Sequence, residues 1–600
     1  MKNISSFLKK LIYCIKFSWK SSGFYTAIRM VSTILTPLLL IASTYTLKFL
    51  TDRIYAVNST QPNHLKNEIL FLCVITALIK ILMLLARSVD SYANTIQRDV
   101  LDYKVNSLML ERAVDADIAM YDNPQYYDGL RAVRRDSGAM QNIVWMTSQC
   151  LGDFISFGSA FLLLGSKNVF FAIIMLVIGI PSSVASKKFM KILYEYDLKQ
   201  LKSLRMQDYI SGVGTQKEYA QEIRCYGLGH FLKEKYDNIF KWMFLPKKRI
   251  LKKRGGIYCL FSCMTELAIL GISVQVCMQI INGVATAGDY IWYLGILGQL
   301  SSGMEQFVSN MSNLYDNSLR IENIMKLDEI TFQSIRSGSL VIDKIKKIEF
   351  NHVYFSYKGD EKYILKNVSF VISEKQKFAL VGLNGAGKST IIKLILRLYD
   401  VNKGEILING RNIKEYDITS LRKSYGIYFQ NGKNFAFSLL ENITMNSDQM
   451  DKEYAEEILK KCGGTDIISM CRSDLKCGIG RAFDENGLEF SEGQQQKIAI
   501  ARSLYGNKDI YILDEPSASL DPEAEKVVFD YIEKRCVGKI VIFSSHRLST
   551  IYLADRILVF NEGILVENGT FNDLTDKDTL FRRLFNYQAE RYHLFDSDNT

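Results

Sequence analysis

Six stretches of this chain, at about 24–50, 67–89, 144–165, 168–186, 256–282 and 289–312, stay mostly apolar. Each is close to the ~20 residues a helix needs to cross the hydrocarbon of a bilayer. Residues 1–320 therefore read as an all-α membrane domain of six spans. The connections at roughly 90–143 and 187–255 are long, charged and heptad-like, which extends the helices well past the membrane on one side. The short ones, at 166–168 and 282–289, carry almost no positive charge and fall on the outer side. A multi-pass protein of the cell membrane follows, with both termini on the cytoplasmic side.

A formal charge of +10 could point to nucleic acid, but the basic residues sit beside the apolar runs: Lys9, Lys10, Lys187, Lys188, Lys247, Lys248, Lys252, Lys253 and Arg254. Cytoplasmic placement of those loops explains them, and no nucleic-acid partner is expected. Eleven cysteines are scattered without a C-x-x-C pair or His partners at metal spacing. They are expected to be small buried hydrophobes with free thiols, with neither a disulfide framework nor a zinc site. The basic, amphipathic N-terminal segment, interrupted by Lys16 and Lys20, suits an interfacial helix leading into the first span better than a cleaved signal.

Residues 321–345 form a charged connector, and from 346 to 600 the pattern becomes that of a soluble α/β domain. FALVG at 378–382 and IYILD at 510–514 read as buried strands of a parallel sheet. The first strand runs into G-x-x-x-x-G-K-S and then a helix. In such a P-loop, glycines let backbone amides surround phosphate, a lysine meets the β- and γ-phosphates, and a hydroxyl can ligate Mg2+. Here the loop and helix start supply Gly382, Asn384, Gly385, Ala386, Gly387, Lys388, Ser389 and Thr390. The second strand ends in Asp514, suited to hold Mg2+, and Glu515, placed to polarise an attacking water.

GLNGAGKST, Gln430 in YGIYFQNGK, FSEGQ at 490–494, IYILDEP, SASLD at 517–521 and His546 in FSSHRLS follow one another in this order. Order and spacing resemble the nucleotide-binding domains of ABC transporters, and the six preceding spans resemble the exporter type, in which a membrane domain is fused to the ATP-binding domain. That resemblance implies ATP and Mg2+ as cofactors and an ATPase coupled to transmembrane transport. It also implies a second copy of the chain as partner, a homodimer with a heterodimer as the alternative.

By the same resemblance, Tyr357 stacks on adenine, Gln430 touches Mg2+ and the attacking water, His546 contacts the γ-phosphate, and Asp521 links the two ATP sites. Without the family, Asp521 would be an ordinary helix cap before Pro522. Ser491, Gly493 and Gln494 correspond to the signature that faces ATP held by the other subunit, whereas Phe490 and Glu492 depart from the usual LSGGQ. A carboxylate in a helix's first turn stabilises the free helix but repels a nearby phosphate. The expected geometry turns Glu492 outward.

Two turns, near 117–130 and 217–228, are candidates for docking between the membrane and ATP domains. Gln299, Ser302, Gln306, Ser309 and Asn313 share one face of the sixth span and are expected to look into the bundle. Asp153, Glu266 and Glu305 suggest a cavity for a cationic cargo, unless Lys80 or Arg87 neutralises them. The resemblance favours export of a peptide, as in bacterial bacteriocin exporters, or of an amphipathic small molecule. An exporter-fold importer, a lipid flippase and a non-transporting ligand-sensing membrane ATPase are the alternatives.

Overall fold

The structure is a computed structural model that describes residues 2–56, 62–122, 124–329, 335–357, 362–430, 432–445, 450–517, 519–545, 547–576 and 578–593. The chain divides into two compact units. The first comprises Met1–Val114 and Tyr127–Thr331, the second Asp115–Tyr126 and Phe332–Thr600. The stretch expected as a connector, 321–345, is shared between them, since helix continues to Glu329.

Six long helices build the first unit: α1 (Lys2–Ala56), α2 (Pro62–Asp115), α3 (Pro124–Lys167), α4 (Val169–Lys199), α5 (Gly229–Ile281) and α6 (Ala287–Glu329). The expected N-terminal interfacial segment is marked off by a break inside α1 at Ser22, where φ is −153° and ψ is 52°. Hydroxyls fill in around the break. Gln97 of α2 donates to Ser18 Oγ and Thr26 Oγ1, both at 2.8 Å, and its own Oε1 accepts from the buried Arg29 at 2.6 Å. Side chains at helical spacing on α6, Trp292, Ile296, Leu297 and Leu300, are buried against Phe171 and Met175 of α4, Leu164 of α3 and Val276 of α5.

Outward faces are apolar too, as with Leu78, Ile81, Leu82 and Leu85 of α2, all exposed. A helix that is hydrophobic all round belongs in lipid or in a large core. Among the described residues, four helices are long and apolar enough to cross a membrane: Ser5–Ala56, Lys66–Asp115, Gly138–Lys167 and Gly229–Ile281. Val169–Pro181 is apolar but shorter. In α6 the polar stripe itself dilutes the hydropathy.

Along that stripe burial on this single chain differs from turn to turn. Gln299 is buried, donating to Ser156 O at 3.5 Å, whereas Ser302, Gln306 and Ser309 are exposed on this chain. Among the described residues no ion pair joins Lys80 or Arg87 to Asp153, Glu266 or Glu305. Asp153 accepts from Asn310 at 2.7 Å and Glu305 from the Tyr258 hydroxyl at 3.1 Å. The cysteine expectation fails at two points. Cys471 and Cys477 are bridged, their Cα atoms brought to 5.7 Å by the turn between them, and Cys73, Cys259, Cys263 and Cys277 are exposed on apolar helices.

Among its described residues the second unit holds ten strands: β1 (Lys347–Phe355), β2 (Leu365–Ser373), β3 (Lys377–Gly382), β4 (Lys403–Ile408), β5 (Arg411–Asn412), β6 (Tyr425–Tyr428), β7 (Ile510–Asp514), β8 (Ile540–Ser544), β9 (Arg556–Asn561) and β10 (Ile564–Gly569). An antiparallel sheet runs β2-β1-β4-β5, and a six-stranded sheet runs β10-β9-β3-β8-β7-β6. In the latter, all neighbours from β9 to β6 are parallel. Alternation along these strands feeds two cores. Ala379, Val381, Tyr511, Leu513, Val541 and Phe543 pack on one face, Phe378, Leu380, Ile510, Ile512, Ile540 and Ile542 on the other. A sheet covered on both faces needs the near-continuous apolar runs that the sequence shows.

Ile512, fully buried at the centre of this sheet, reports on that packing. Ile512→Ala is expected to cost about 2–5 kcal/mol, visible as earlier denaturant unfolding of the full chain in detergent.

Candidate nucleotide site

The end of β3 forms a cradle because two glycines occupy positions no other residue would tolerate. Gly382 has φ +154°, and a Cβ there would stand 2.3 Å from Phe560 O. Gly387 has φ +102°, and its Cβ would meet Leu365 Cδ2 at 2.6 Å. The helix α7 (Lys388–Ile395) starts directly after Gly387, so its free amides face the loop. Lys388 is buried and donates from Nζ to Gly382 O at 2.7 Å and Leu383 O at 3.2 Å. Burial lowers its pKa, opposed by the nearby carboxylates of Glu515 and Asp514. A polyphosphate would offer this ammonium better acceptors than the loop's own carbonyls.

Strand pairing brings the acids to the same place. Asp514 pairs in register with Ser544 on β8, and the Ser544 hydroxyl donates to Asp514 Oδ1. Glu515, one residue past the strand, takes a left-handed conformation, φ +52°, that is uncommon for a side chain of its kind. Its amide donates to Ser544 O at 3.1 Å, and Gln430 Nε2 donates to Glu515 Oε2 at 2.6 Å. Gln430, Asp514 and Glu515 are thus linked through β7 and its register, as their assignment to one site requires. His546 lies outside the described residues.

Tyr357 is half-buried beside the same loop. Its hydroxyl lies 3.3 Å from Thr390 Oγ1, Lys393 Nζ sits 5.1 Å from its ring centroid, and Tyr399 meets it edge-on at 5.1 Å.

The FSEGQ segment starts the helix α8 (Glu492–Leu504). Ser491 is its N-cap: Ser491 Oγ accepts from Gln494 N at 3.3 Å, and Gln494 Oε1 accepts from Ser491 N at 3.0 Å, a reciprocal capping box. Gln494 Nε2 also donates to Asp466 at 2.7 Å. Phe490 is buried as the apolar anchor, and Glu492 is exposed with no ion pair among the described residues. Gly493 brings the helix close to Ser519, since a Cβ there would lie 3.1 Å from Ser519 O. Asp521 caps the helix α9 (Pro522–Arg535), accepting from Ala524 N at 2.8 Å.

Some organising residues escaped the sequence reading. Gln496, buried, donates to Pro516 O at 2.7 Å and accepts from Ser519 N at 3.0 Å, tying α8 to the loop after Glu515. Arg502, whose pKa burial pulls down to about 10, holds the Asn434 and Asn442 side chains beyond Gln430. Ser544 was the other omission. The run of three glutamines after Gly493 was the only available hint of Gln496.

Residues 365–518, which hold the phosphate loop, Gln430, FSEGQ and Glu515, match the family model described as ABC transporter. Over most of its length the chain also resembles a bacterial Atm1-family ABC exporter solved with ATP bound, with a TM-score of 0.74 and 21% identity, covering 94% of this chain and 98% of that one. By domain content residues 365–518 are similar to ABC transporters, and the chain as a whole has the fold of an ABC exporter half-transporter.

Among curated relatives, the chain is 29% identical to the subtilin transport ATP-binding protein SpaT of Bacillus subtilis over 492 residues, 80% of this chain and 79% of that protein. It is 28% identical to the ATP-dependent lipid A-core flippase of Escherichia coli (strain K12) over 475 residues, 77% of each. Residues 365–518 thus resemble a nucleotide-binding domain, and they follow a unit in which four of the described helices are long and apolar enough to cross a membrane.

The Asp514–Ser544 bond makes a test of the site's integrity. In Ser544→Ala the buried carboxylate loses a donor, which is expected to cost about 1–3 kcal/mol, read as a lower unfolding midpoint of the full chain together with weaker Mg2+-dependent ATPase activity.

Proposed function

We propose that two copies of the half-transporter form an ATP-driven exporter in the cell membrane, with both termini and the ATP domains cytoplasmic, and that the pair closes over two ATP molecules. The observation that carries this reading is the assembly of Lys388, Asp514, Glu515 and Gln430 at one end of the parallel sheet, while α8 presents its capped N-terminus elsewhere. Among the described residues no hydrogen bond joins Ser491 or Glu492 to the loop 382–390. A second copy would supply the missing half of each site. The bilayer surrounds the six-helix unit.

Each residue then has a task. The amides around Gly382, Asn384, Gly385, Ala386 and Gly387 receive the phosphates, Lys388 meets the β- and γ-oxygens, and Thr390 lies where α7 faces the nucleotide. Tyr357 stacks on adenine. The oxygens of Ser389, Gln430 and Asp514 suit Mg2+, a hard cation that takes few protein ligands and neutralises phosphate charge. Asp514 is buried at the strand end, Ser389 is exposed at the helix start, and Gln430 engages Glu515 through its nitrogen, not its oxygen. Glu515, steadied by Gln430, polarises the attacking water, with His546 beside the γ-phosphate. From the partner copy, Ser491, Gly493 and Gln494 face the same phosphate, and Asp521 connects the two sites.

The cargo we infer is a peptide or amphipathic small molecule with cationic character. Asp153 and Glu305 have neutral hydrogen-bond donors, so their charge is available to a cation. One well-covered relative is named for subtilin transport.

Glu515→Gln keeps the side-chain shape but removes the base. Steady-state ATP hydrolysis is expected to fall at least a hundredfold, with ATP binding preserved; hydrolysis at the parental rate overturns the assignment. Glu492→Gly tests the direction of the signature carboxylate. An exposed Glu492 facing solvent predicts a rate within about threefold of the parent, and a gain of tenfold or more would place the charge against ATP.

A further inference from the structure

Between the adenine-facing Tyr357 and the segment Asp115–Tyr126 stands one side chain, Tyr399, which nothing in the hydrolytic mechanism uses. Its ring is almost fully buried and meets Tyr357 edge-on at 5.1 Å and Phe355 at 5.6 Å. Its hydroxyl donates to Asp122 Oδ2 at 2.7 Å. Asp122 belongs to the short stretch that links α2 to α3 and packs as part of the second unit.

That stretch is seated by two further contacts. Asp117 accepts the Ile335 amide on both carboxylate oxygens, at 3.0 and 2.8 Å, and Ala119 packs against the core that contains Phe355 and Tyr399. Both of these reach backbone or general core. The Tyr399 bond is the hydrogen bond of this segment that ends on a ring in edge contact with Tyr357.

We propose that Tyr399 is a positioning residue that passes adenine occupancy at Tyr357 to the Asp115–Tyr126 segment through its hydrogen bond to Asp122. The proposal rests on the reading of Tyr357 given above. Tyr357 is not free to absorb a stacked base by itself, because its hydroxyl is held between Thr390 Oγ1 and Lys393 Nζ, at 3.3 and 3.2 Å. A tilt of its ring is therefore taken up at its edge contacts with Phe355, at 5.0 Å, and with Tyr399, at 5.1 Å, and of these two rings Tyr399 carries the hydrogen bond to Asp122. Packed interiors pass on such displacements because they contain little free volume. The far end of Tyr399 is fixed by a short charge-assisted bond, so the motion is delivered to Asp122. From there the covalent chain leads directly into α2 and α3. This route to the membrane helices runs from the base of the nucleotide.

The test is hydrogen exchange of peptides spanning 115–126 in the full chain, held in lipid nanodiscs, with and without the non-hydrolysable analogue AMP-PNP and Mg2+. Nucleotide is expected to slow exchange of this segment about threefold or more in the parent. Tyr399→Phe, which keeps the ring, and Asp122→Asn should each remove more than half of that response. The double variant should do no more than either alone, as for two ends of one link. AMP-PNP affinity should stay within about twofold, because neither residue contacts nucleotide.

An undiminished response in the single variants overturns the proposal. So does exchange that rises equally with and without nucleotide, the mark of a merely structural bond, or losses that add in the double variant. Should Tyr399→Phe fail to fold, Asp122→Asn at an exposed carboxylate decides alone. Tyr357→Leu separates the underlying reading, since loss of base stacking should weaken AMP-PNP binding about tenfold or more. Unchanged affinity there refutes adenine stacking, whatever Tyr399 does.

Discussion

The second unit is organised around one expensive requirement, a carboxylate buried at the end of a strand that is itself wholly buried. Every residue of β7 from Ile510 to Asp514 is inaccessible to solvent or nearly so. An unpartnered charge in such a place would be strongly unfavourable. The cost is offset by register: Asp514 stands opposite Ser544, whose hydroxyl reaches it. Once β7 and β8 are aligned in this way, Glu515 must leave the sheet at the same edge where β3 gives way to the phosphate loop. The pairing of β8 with β3 then sets the spacing between acids and lysine. The gathering of Lys388, Asp514 and Glu515 at one end of the sheet is thus a consequence of sheet register.

The signature segment obeys a different logic. Its helix begins with a capping box that satisfies Ser491 and Gln494 within the chain, and Gln496 anchors it to the loop after Glu515. Glu492 adds a carboxylate at a helix N-terminus, where the backbone dipole favours it by about 0.3–1 kcal/mol. Because this side chain is exposed, solvent screens it from charges farther than a Debye length of ~8 Å. What looked in sequence like a conflict between an anion receptor and an anion is therefore a compromise. The helix gains locally from the carboxylate, which is exposed to solvent on this chain.

In the membrane unit the sequence was a good guide to helices and a poorer guide to faces. Long apolar runs name the helices because a bilayer demands length and hydrophobicity together. Along the polar stripe on α6, Gln299 is buried within this chain while Ser302, Gln306 and Ser309 are exposed on it. Spacing says that these residues share a face, but which neighbour covers each turn of that face depends on how the helices pack. Acidic residues behaved similarly. Asp153 and Glu305 took Asn310 and Tyr258 as partners, both neutral and distant in sequence. The Cys471–Cys477 bridge was invisible for a related reason, since six residues of separation become a 5.7 Å approach only after the chain turns.

The sequence alone determined the two-part plan, the phosphate loop with Lys388, and the acids Asp514 and Glu515, because each is a local pattern whose chemistry depends on neighbours in the chain. Two glycines forced into unusual conformations, a strand ending in two acids and an apolar run of spanning length all announce themselves within some twenty residues. Only tertiary structure decided what these parts touch. Ser544 under Asp514, Gln496 between α8 and Ser519, and Tyr399 between Tyr357 and Asp122 are ordinary residues by type. Their roles arise from strand register and from core packing, which bring together groups up to 277 positions apart. Long-range contacts of that kind leave no period in the sequence to read.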